Sequence, residues 1–417
     1  MIVLLAALAC DTNVRGDDSG DTSGGNADTT YYKDVKPLLD VHCTRCHYEG
    51  GLGIGDFTDP DTVVSFAEVM LNQVEVGAMP PATSDPECHD YSGSEHMNMS
   101  AGELAVLQAW IDQGKELGDV ADDPGVEPIK ETLDDADISL LMTEAYTPSF
   151  SDEANPGNEY RCFVLDPELD EDVYINALAP AVDNAALVHH VVAFTTDRGD
   201  ISESQWDPQG FDCIDMSGAG EGMLGAWAPG MLPLELGEGN ALKLDKDDVV
   251  VLQMHYFQSQ ATWEDDRSGY ELRTMPKDEV ETQVLLVPLG LSRFEIPAGD
   301  DAYTDSGDFE NTYPIDVKIH NIFPHMHVLG KAYSASITHA DGSTTCLVQG
   351  DYDFDNQLTY QFEGELPVLA KGDTLEYSCT WNNSTSNPDL PYDEPVTTGY
   401  GERTDEEMCY FFSMISY

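Results

Sequence analysis

Two cysteines and a histidine in Cys43-Thr-Arg-Cys46-His47 place the strongest constraint on what the first part of this chain can fold into. Thiols at this spacing can form thioethers to the two vinyl groups of a haem, and the histidine that follows them then lies under the iron as an axial ligand. A redox dithiol would need a βαβ context, and half of a zinc site would need a second Cys/His pair nearby. The sequence offers neither. The motif therefore predicts a covalently attached haem c held by Cys43, Cys46 and His47.

The segments on both sides of this motif have helical patterns. Apolar residues recur at helical spacing over residues 32–39, and Ser100-Ala-Gly-Glu103 predicts a capping box that opens a later helix. With Met79-Pro-Pro between them, these features resemble small class I c-type cytochromes over residues 31–117. The resemblance implies a small all-α cytochrome c domain.

The sixth ligand of an electron-transfer haem should be a soft thioether. Met79 is the best candidate, because Pro80 and Pro81 stiffen the loop that would present its sulfur. The sulfurs of Met70, Met97 and Met99 compete with it, and any of these side chains can instead serve only in packing.

The charge of the chain limits its partners. The sequence has 79 acidic residues against 18 basic ones, which gives a formal net charge of −61. Nucleic acid and anionic lipid surfaces both attract a basic surface, so we expect neither as a partner. No apolar run reaches about 18 residues, so the sequence predicts no helix that spans a bilayer.

The first residues resemble the end of an export signal. An apolar run over residues 2–9 ends in small residues before Cys10, which would be a lipid-bearing residue and the one possible membrane tether. No basic residue precedes the run, so we expect the natural start to lie upstream. These features predict an exported protein in the periplasm or at the cell surface of a bacterial envelope.

Composition divides the chain into five segments. Residues 1–30 read as the signal and a flexible Gly/Ser/Asp/Thr-rich tether, and residues 118–135 as an acidic linker after the cytochrome-like segment 31–117. The remainder has the alternating pattern and turn residues of antiparallel β-sandwich domains, which we place at 136–280 and 281–417. The predicted fold class is therefore mainly β, preceded by a small all-α domain.

Histidines in this β-rich part fall in three strand-like runs. His255 lies two residues after Gln253, and His325 lies two residues before His327. Residues at i and i+2 of a strand project to one side, which suits one metal ion. Adjacent His189 and His190 would normally diverge, so a shared ion requires a bulge or a strand end at that point.

The side-chain types in these runs indicate which metal ion they would bind. A single histidine pair can be an ordinary core or surface pair, but three such runs in one chain indicate metal binding. Imidazoles with one thioether, and with no carboxylate or thiolate in the set, favour copper over zinc or magnesium.

The order of the motifs, which ends in Asp-Glu-Glu-Met408-Cys409, resembles the copper type II, ascorbate-dependent monooxygenases over roughly residues 140–417. This is the family of peptidylglycine α-hydroxylating monooxygenase and dopamine β-monooxygenase. The resemblance implies two jelly-roll-like β-sandwich domains, each with one copper ion, facing each other across an open cleft. The implied ligands of the electron-transfer copper are His189, His190 and His255, and those of the catalytic, oxygen-binding copper are His325, His327 and Met408. Gln253, close to the first copper, and the stretch Trp227-Ala-Pro-Gly also match the family pattern.

The same resemblance implies two disulfides, Cys162 with Cys213 and Cys379 with Cys409. The second would brace the loop that carries Met408. Cys88 and Cys346 are left over, and a bond between them would clamp the haem segment onto the copper half. Spacing alone does not show such a bond.

The chain departs from the family at the substrate anchor. The peptide-amidating members hold the substrate carboxylate with an arginine two residues before His-x-His and with polar groups just after Met-Cys. Phe323, Tyr410 and Phe412 stand at these positions here. Because a buried carboxylate without its arginine is costly, we expect a small apolar substrate rather than a glycine-extended peptide.

These features together predict an exported copper-dependent monooxygenase that hydroxylates a C–H bond of a small organic molecule with dioxygen, using two copper ions and one haem c. The family takes its electrons from ascorbate. Because this chain carries its own haem motif, we expect the haem to pass electrons from an unidentified donor to the first copper. The alternative is a non-enzymatic haem–copper protein that carries electrons or sequesters copper, since ligands identify a metal site but not turnover.

Overall fold

The computed structural model describes residues 28–81, 83–128, 131–151, 157–213, 222–258, 265–354 and 356–417. The export-signal-like run and Cys10 lie outside these residues, so their roles stay predictions. The described chain is mainly β, with several antiparallel sheets and few helices. Within those ranges, no helix combines the length and apolarity needed to cross a membrane.

The helices lie in the first part of the chain. They are a π-helical turn at Tyr31–Val35, α1 Lys36–His42, α2 Pro60–Glu75, α3 Ser94–Met97 and α4 Ala101–Asp112. Helix α2 begins with the Asp59 side chain accepting from the Thr62 N–H, and α4 begins with the predicted capping box between Ser100 and Glu103. A separate hydrophobic core joins α1, α2 and α4 into a helical module, with Val35, Leu39, Met70 and Trp110 among its buried members.

The strands begin after residue 137. They are β1 Ile138–Leu141, β2 Asn158–Leu165, β3 Val173–Ala181, β4 Val188–Asp197, β5 Phe211–Asp212, β6 Gly222–Trp227, β7 Leu234–Glu235, β8 Asn240–Leu244, β9 Asp248–Phe257, β10 Gly269–Met275, β11 Thr282–Gln283, β12 Leu285–Gly290, β13 Glu295–Ile296, β14 Tyr303–Glu310, β15 Val317–Ile319, β16 Asn321–His325, β17 Gly330–Thr338, β18 Thr344–Asp351, β19 Tyr360–Gln361, β20 Val368–Leu369, β21 Thr374–Trp381, β22 Thr398–Gly399 and β23 Tyr410–Ser416.

Strands β1–β11 form two sheets, and strands β12–β23 form the rest. The first set has the orders β5-β2-β9-β4-β6 and β1-β10-β3-β8-β11, with β7 on β3. The second set has the orders β19-β16-β23-β15-β20, with β12 on β23, and β14-β21-β17-β18, with the short pair β13-β22. The pairing is antiparallel except between β8 and β11. One hydrophobic cluster extends through both sets, so the two halves share a core.

Residues 84–92 form a strap that leaves the helical module and lies on the second set of sheets. The Asp85 N–H donates to the carbonyl of Gln349 at 2.7 Å, and the Ser92 N–H donates to the carbonyl of Gln361 at 2.9 Å. A disulfide joins Cys88 of the strap to Cys346 of β18. The structure therefore forms the bond that cysteine spacing alone could not show.

The other two disulfides, Cys162–Cys213 and Cys379–Cys409, confirm the pairing that the resemblance implied. Three disulfides indicate that the chain matures in an oxidising compartment.

The carboxylate of Glu407 is fully buried and accepts four N–H groups. The backbone N–H groups of His327 and Leu329 donate at 3.0 and 2.7 Å, the Trp381 indole at 3.0 Å and the Met408 backbone at 3.3 Å. Burial raises the pKa of Glu407 to about 8, and these donors oppose that rise. This one side chain therefore ties the turn after β16 to the end of β21 and to the segment before β23.

We expect Glu407→Gln to lower the free energy of unfolding by about 1–3 kcal/mol, because an amide NH₂ would face at least one of these buried N–H donors. Denaturant unfolding with the disulfides intact measures the change. Glu310→Gln, at an exposed position on β14, is the matched control and should have little effect. Equal stability of Glu407→Gln and the wild type would contradict the role assigned to Glu407.

Candidate functional site

A bulge in β4 brings the first three histidines together. The pairing of β4 with β9 shifts between Val188, opposite Tyr256, and His190, opposite His255. This is the irregularity that adjacent ligands require, because it turns two neighbouring side chains toward one side of the sheet. One ligand nitrogen from each of His189, His190 and His255 lies within 4.8 Å of the others. We call this group the first trio.

Hydrogen bonds orient the rings of the first trio. The His255 Nε2 lies 2.7 Å from the Asn158 Oδ1, which accepts its proton and leaves Nδ1 as a lone-pair donor. That Nδ1 lies 3.3 Å from the Nδ1 of His190. The ring of Tyr160 stacks on His255 with centroids 4.2 Å apart. His190 and His255 therefore present their Nδ1 atoms toward a common point.

The second group of predicted ligands, the second trio, lies at the end of β16 and just before β23. The rings of His325 and His327 are nearly perpendicular, with centroids 5.3 Å apart. The Nδ1 of His325 lies 2.7 Å from the Gln357 Oε1, and the Nδ1 of His327 lies 3.1 Å from the Glu406 carbonyl oxygen. Both acceptors leave Nε2 as the ligand atom. Met408, the third member, is buried.

Burial keeps these imidazoles neutral. It lowers the pKa of His189 and His325 to about 4 and that of His327 to about 3. It also lowers the pKa of His190 and His255 well below the ordinary value, with the neighbouring histidines adding to the effect. Neutral imidazole is the form that binds a metal ion.

One central cavity of about 60 Å³ is lined by His190 of the first trio and by all three members of the second trio. The residues that line it are Tyr160, His190, Val191, Val192, Met223, Ala226, Trp227, Ala228, Gln253, Phe323, His325, His327, Phe354, Gln357, Glu402, Met408 and Phe412. The open cleft that the resemblance implied stays a prediction. The two sets of sheets approach each other through β6 and β12, and His325 and His327 lie close enough to lower the pKa of His190.

The residues at the substrate-anchor positions make the cavity wall apolar. Phe323 and Phe412 face each other across the β16–β23 pairing, and both line the cavity. Tyr410 stacks on Phe412 with ring centroids 5.6 Å apart. Gln253 also lines the cavity, where its Nε2 donates to the Cys213 carbonyl at 2.7 Å.

The motif Cys43–His47, for which the sequence predicts haem attachment, lies in the helical module, in the loop that follows α1. The thiols of Cys43 and Cys46 are not disulfide-bonded, and burial raises their pKa values to about 12 and about 11. The His47 Nδ1 lies 3.0 Å from the Ile54 carbonyl oxygen, so Nε2 is the nitrogen left for a metal. The His47 ring stacks on Phe57 with centroids 4.4 Å apart.

A second cavity of about 240 Å³ adjoins the motif, and we call it the Cys46 cavity. Within the described ranges, neither thiol joins a cluster of three side chains that could hold a metal ion, which argues against zinc. The Cys46 thiol lines this cavity, and Cys43 and His47 are its neighbours in the motif. Two free thiols at this spacing, with a histidine whose Nδ1 is occupied, fit a covalently attached haem.

The methionines considered as the sixth haem ligand differ in how deeply their side chains are buried. Met70 is 7% exposed in the helical core, and Met97 is 6% exposed in the core of the sheets. Both side chains pack against apolar neighbours in these cores. Met79 is 40% exposed in the loop after α2, so its role as the sixth haem ligand stays a prediction.

Sequence reasoning missed the groups that orient the ligands. Asn158, Gln357 and the carbonyl of Glu406 lie far in sequence from the rings that they contact. Glu407 directly precedes a predicted ligand, but one carboxylate among 79 acidic residues carries no distinguishing pattern. The only sequence signal for a role of Glu407 was its position directly before Met408.

The metal-free protein should lose stability on acidification because of these histidines. Their folded pKa values lie below the unfolded value of about 6.5, so the unfolded chain binds more protons between about pH 4 and 6.5. The stabilising contribution is thus complete above about pH 6.5 and is lost as the pH falls toward 4.

Carboxylates also titrate between about pH 4 and 6.5, so the contribution of the histidines is measured by comparing the free energy of unfolding of variants with that of the wild type. His189→Gln should show a shallower fall in the free energy of unfolding than the wild type, whereas His89→Gln, outside both trios, should match the wild-type slope. Identical slopes for all three proteins would contradict the assignment of neutral, buried imidazoles.

Comparison with known proteins finds a family likeness in the C-terminal part of the chain. Residues 292–417 match the family model of the copper type II ascorbate-dependent monooxygenase, C-terminal domain. This segment contains His325, His327 and Met408. No curated protein matches the chain.

Among solved structures, the VP2 subviral particle of infectious bursal disease virus is 10% identical, with 70% of this chain and 75% of that chain covered and a TM-score of 0.18. The Gt strain of the same virus is 10% identical, with 70% and 74% covered and a TM-score of 0.17. Overlaps this poor carry no argument about fold or function. The likeness that the comparisons show is therefore confined to residues 292–417, which are similar to the C-terminal domain of the copper type II ascorbate-dependent monooxygenases.

Proposed function

We propose that this protein is an exported copper-dependent monooxygenase that hydroxylates a C–H bond of a small, apolar organic substrate, with electrons delivered through a covalent haem c. The observation that carries the proposal is the central cavity, which joins His190 of the first trio to His325, His327 and Met408 of the second. The family match over residues 292–417 supports copper and an oxidoreductase.

The donor atoms of the two trios suit two copper ions. His189, His190 and His255 would hold one ion, with Nδ1 supplied by His190 and His255. The Nε2 atoms of His325 and His327 would hold the other, together with the Met408 sulfur. Six donors of this kind, with no carboxylate, suit a metal that changes oxidation state. When bound, the copper ions would supply electron transfer and the activation of dioxygen.

The protein side chains position these ligands and select the substrate. Gln357 and the Glu406 carbonyl hold the second-trio rings so that Nε2 is available. Phe323, Phe354 and Phe412 cover the cavity wall and favour an apolar substrate.

The side chains of the wall disfavour an anionic substrate. Within the described part of the chain, no lysine or arginine lines the cavity, and Glu402 does. A substrate carboxylate would therefore find no cationic side chain to pair with in the wall, which disfavours a glycine-extended peptide. The cavity has room for about four water molecules, so the part of the substrate that enters is small.

The haem would be attached by thioethers from Cys43 and Cys46, with His47 Nε2 as one axial ligand and Met79 as the predicted other. It would supply single electrons from an unidentified donor. Hydroxylation consumes two electrons and two protons for each dioxygen, since one oxygen atom enters the C–H bond and the other leaves as water. Copper and haem analysis of the purified protein, followed by substrate-dependent oxygen uptake, tests the proposal as a whole.

Met408→Leu should remove the thioether while keeping the shape of the cavity. We expect it to lower the rates of substrate-dependent oxygen uptake and alcohol formation by a factor of about 10–100 or more, with copper retained at the first trio. The measurement uses a panel of small aromatic and aliphatic hydrocarbons. Met223→Leu is the matched control, since this methionine lines the same cavity but belongs to neither trio.

A copper-loaded wild type that consumes no oxygen with any member of the panel would instead favour a protein that carries electrons or sequesters copper. Tight binding of C-terminal-glycine peptides would contradict the apolar substrate class.

Rapid mixing tests the haem as the source of electrons. Pre-reduced, copper-loaded protein mixed with dioxygen and a substrate from the active panel should reoxidise its haem in step with product formation. Absorbance reports the haem and chemical quench reports the product. A haem that stays reduced while alcohol forms would refute electron delivery through the haem.

A further inference from the structure

One short segment separates the central cavity from the Cys46 cavity. Trp227 lines both cavities, Ala228 lines the central cavity, and Pro229 lines the Cys46 cavity. The segment 227–230, which we call the bridge, therefore lies between the haem-attachment motif and the histidine trios. It continues from the end of β6 in the same sheet as the first trio.

The bridge is joined to the helical module by hydrogen bonds. The Arg45 Nη1 donates to the Gly230 carbonyl at 3.1 Å, and the Gly230 N–H donates to the Glu131 Oε1 at 3.1 Å. Arg45 stands between Cys43 and Cys46 in the sequence and is 8% exposed. The motif is thus connected to the bridge by the Arg45–Gly230 hydrogen bond and by the backbone that joins Arg45 to Cys43 and Cys46.

The other end of the bridge is joined to the first trio. Trp227 of β6 pairs with Val191 of β4, and Val191 directly follows His190. Trp227 and His190 also face the same central cavity. The bridge therefore continues to a predicted copper ligand across one strand pairing.

Protein stability does not explain why position 227 carries a tryptophan. It is 4% exposed, and its Nε1 has no hydrogen-bond acceptor among the residues that the structure describes. A buried N–H without an acceptor costs free energy, which an apolar side chain of similar size would avoid. An indole at this position thus points to a role other than packing.

We propose that the bridge, with Trp227 at its centre, is the electron-transfer path from the haem to the first-trio copper. This inference rests on the proposed function. In each transfer the haem iron is oxidised from ferrous to ferric and the copper is reduced from cupric to cuprous. No bond is made or broken in the bridge, and it takes up no proton. The Cys88–Cys346 disulfide and the strap hold the helical module on the sheets, which keeps the path in place.

The test measures intramolecular electron transfer in the copper-loaded, haem-containing protein without dioxygen or substrate. A flash-generated reductant reduces the haem, haem absorbance then reports its reoxidation, and the loss of the cupric EPR signal reports arrival at copper. We expect Trp227→Leu to slow this transfer by about tenfold or more. Arg45→Met, which removes the hydrogen bond to Gly230 outside the central cavity, should also slow it.

Trp206→Leu is the matched control, because Trp206 is a partly exposed tryptophan in the turn Glu203–Trp206 and lines neither cavity. Its transfer rate should equal that of the wild type. Haem content, copper content and the two reduction potentials are measured for every variant, so that a change in driving force is separated from a change in the path. If Trp227→Leu does not fold, Arg45→Met decides.

Wild-type transfer rates in both Trp227→Leu and Arg45→Met would overturn the bridge while leaving the proposed function intact. A wild-type protein that acquires no haem, or shows no transfer to copper, would contradict electron delivery through the haem and the bridge with it.

Discussion

The convergence of four N–H groups on the buried Glu407 carboxylate holds the second trio together. The donors come from the turn that carries His327, from Trp381 at the end of β21 and from Met408 itself. Burying a carboxylate is costly, as its raised pKa shows, and the four donors offset part of that cost. The Cys379–Cys409 disulfide adds a covalent link between the same strands. The position of Met408 relative to the histidines is thus fixed by its neighbours on both sides.

The first trio depends instead on a local irregularity in strand β4. The bulge at His189 and His190 lets neighbouring residues share one side, and Asn158 selects which nitrogen of His255 is presented. The five histidines of the two trios are kept neutral by burial, and His190 of the first trio and all three members of the second reach one small cavity with an aromatic wall. The same burial that lowers the histidine pKa values makes the site receptive to a metal ion and to an apolar molecule.

The helical module is fastened to the sheets rather than joined to them by a linker alone. The strap and its disulfide hold the helical module on the second set of sheets, and the Arg45–Gly230 hydrogen bond ties the Cys43–His47 motif to the bridge, which continues from the sheet of the first trio. The position of the bridge between the two cavities follows from this attachment. A chain whose surface charges repel one another strongly gains from such covalent and buried contacts, because they do not depend on electrostatic attraction.

The sequence by itself determined the residue types and their local spacing. It predicted the capping box of α4, a bulge or a strand end at His189 and His190, and, through the resemblance, the six side chains of the two trios and two disulfides. Only the tertiary structure decided that the trios share one cavity, that Cys88 pairs with Cys346, and that Asn158, Gln357 and Glu407 orient the ligands. Periodicity and spacing record contacts within one element, whereas these contacts join residues far apart in the chain and leave no local pattern.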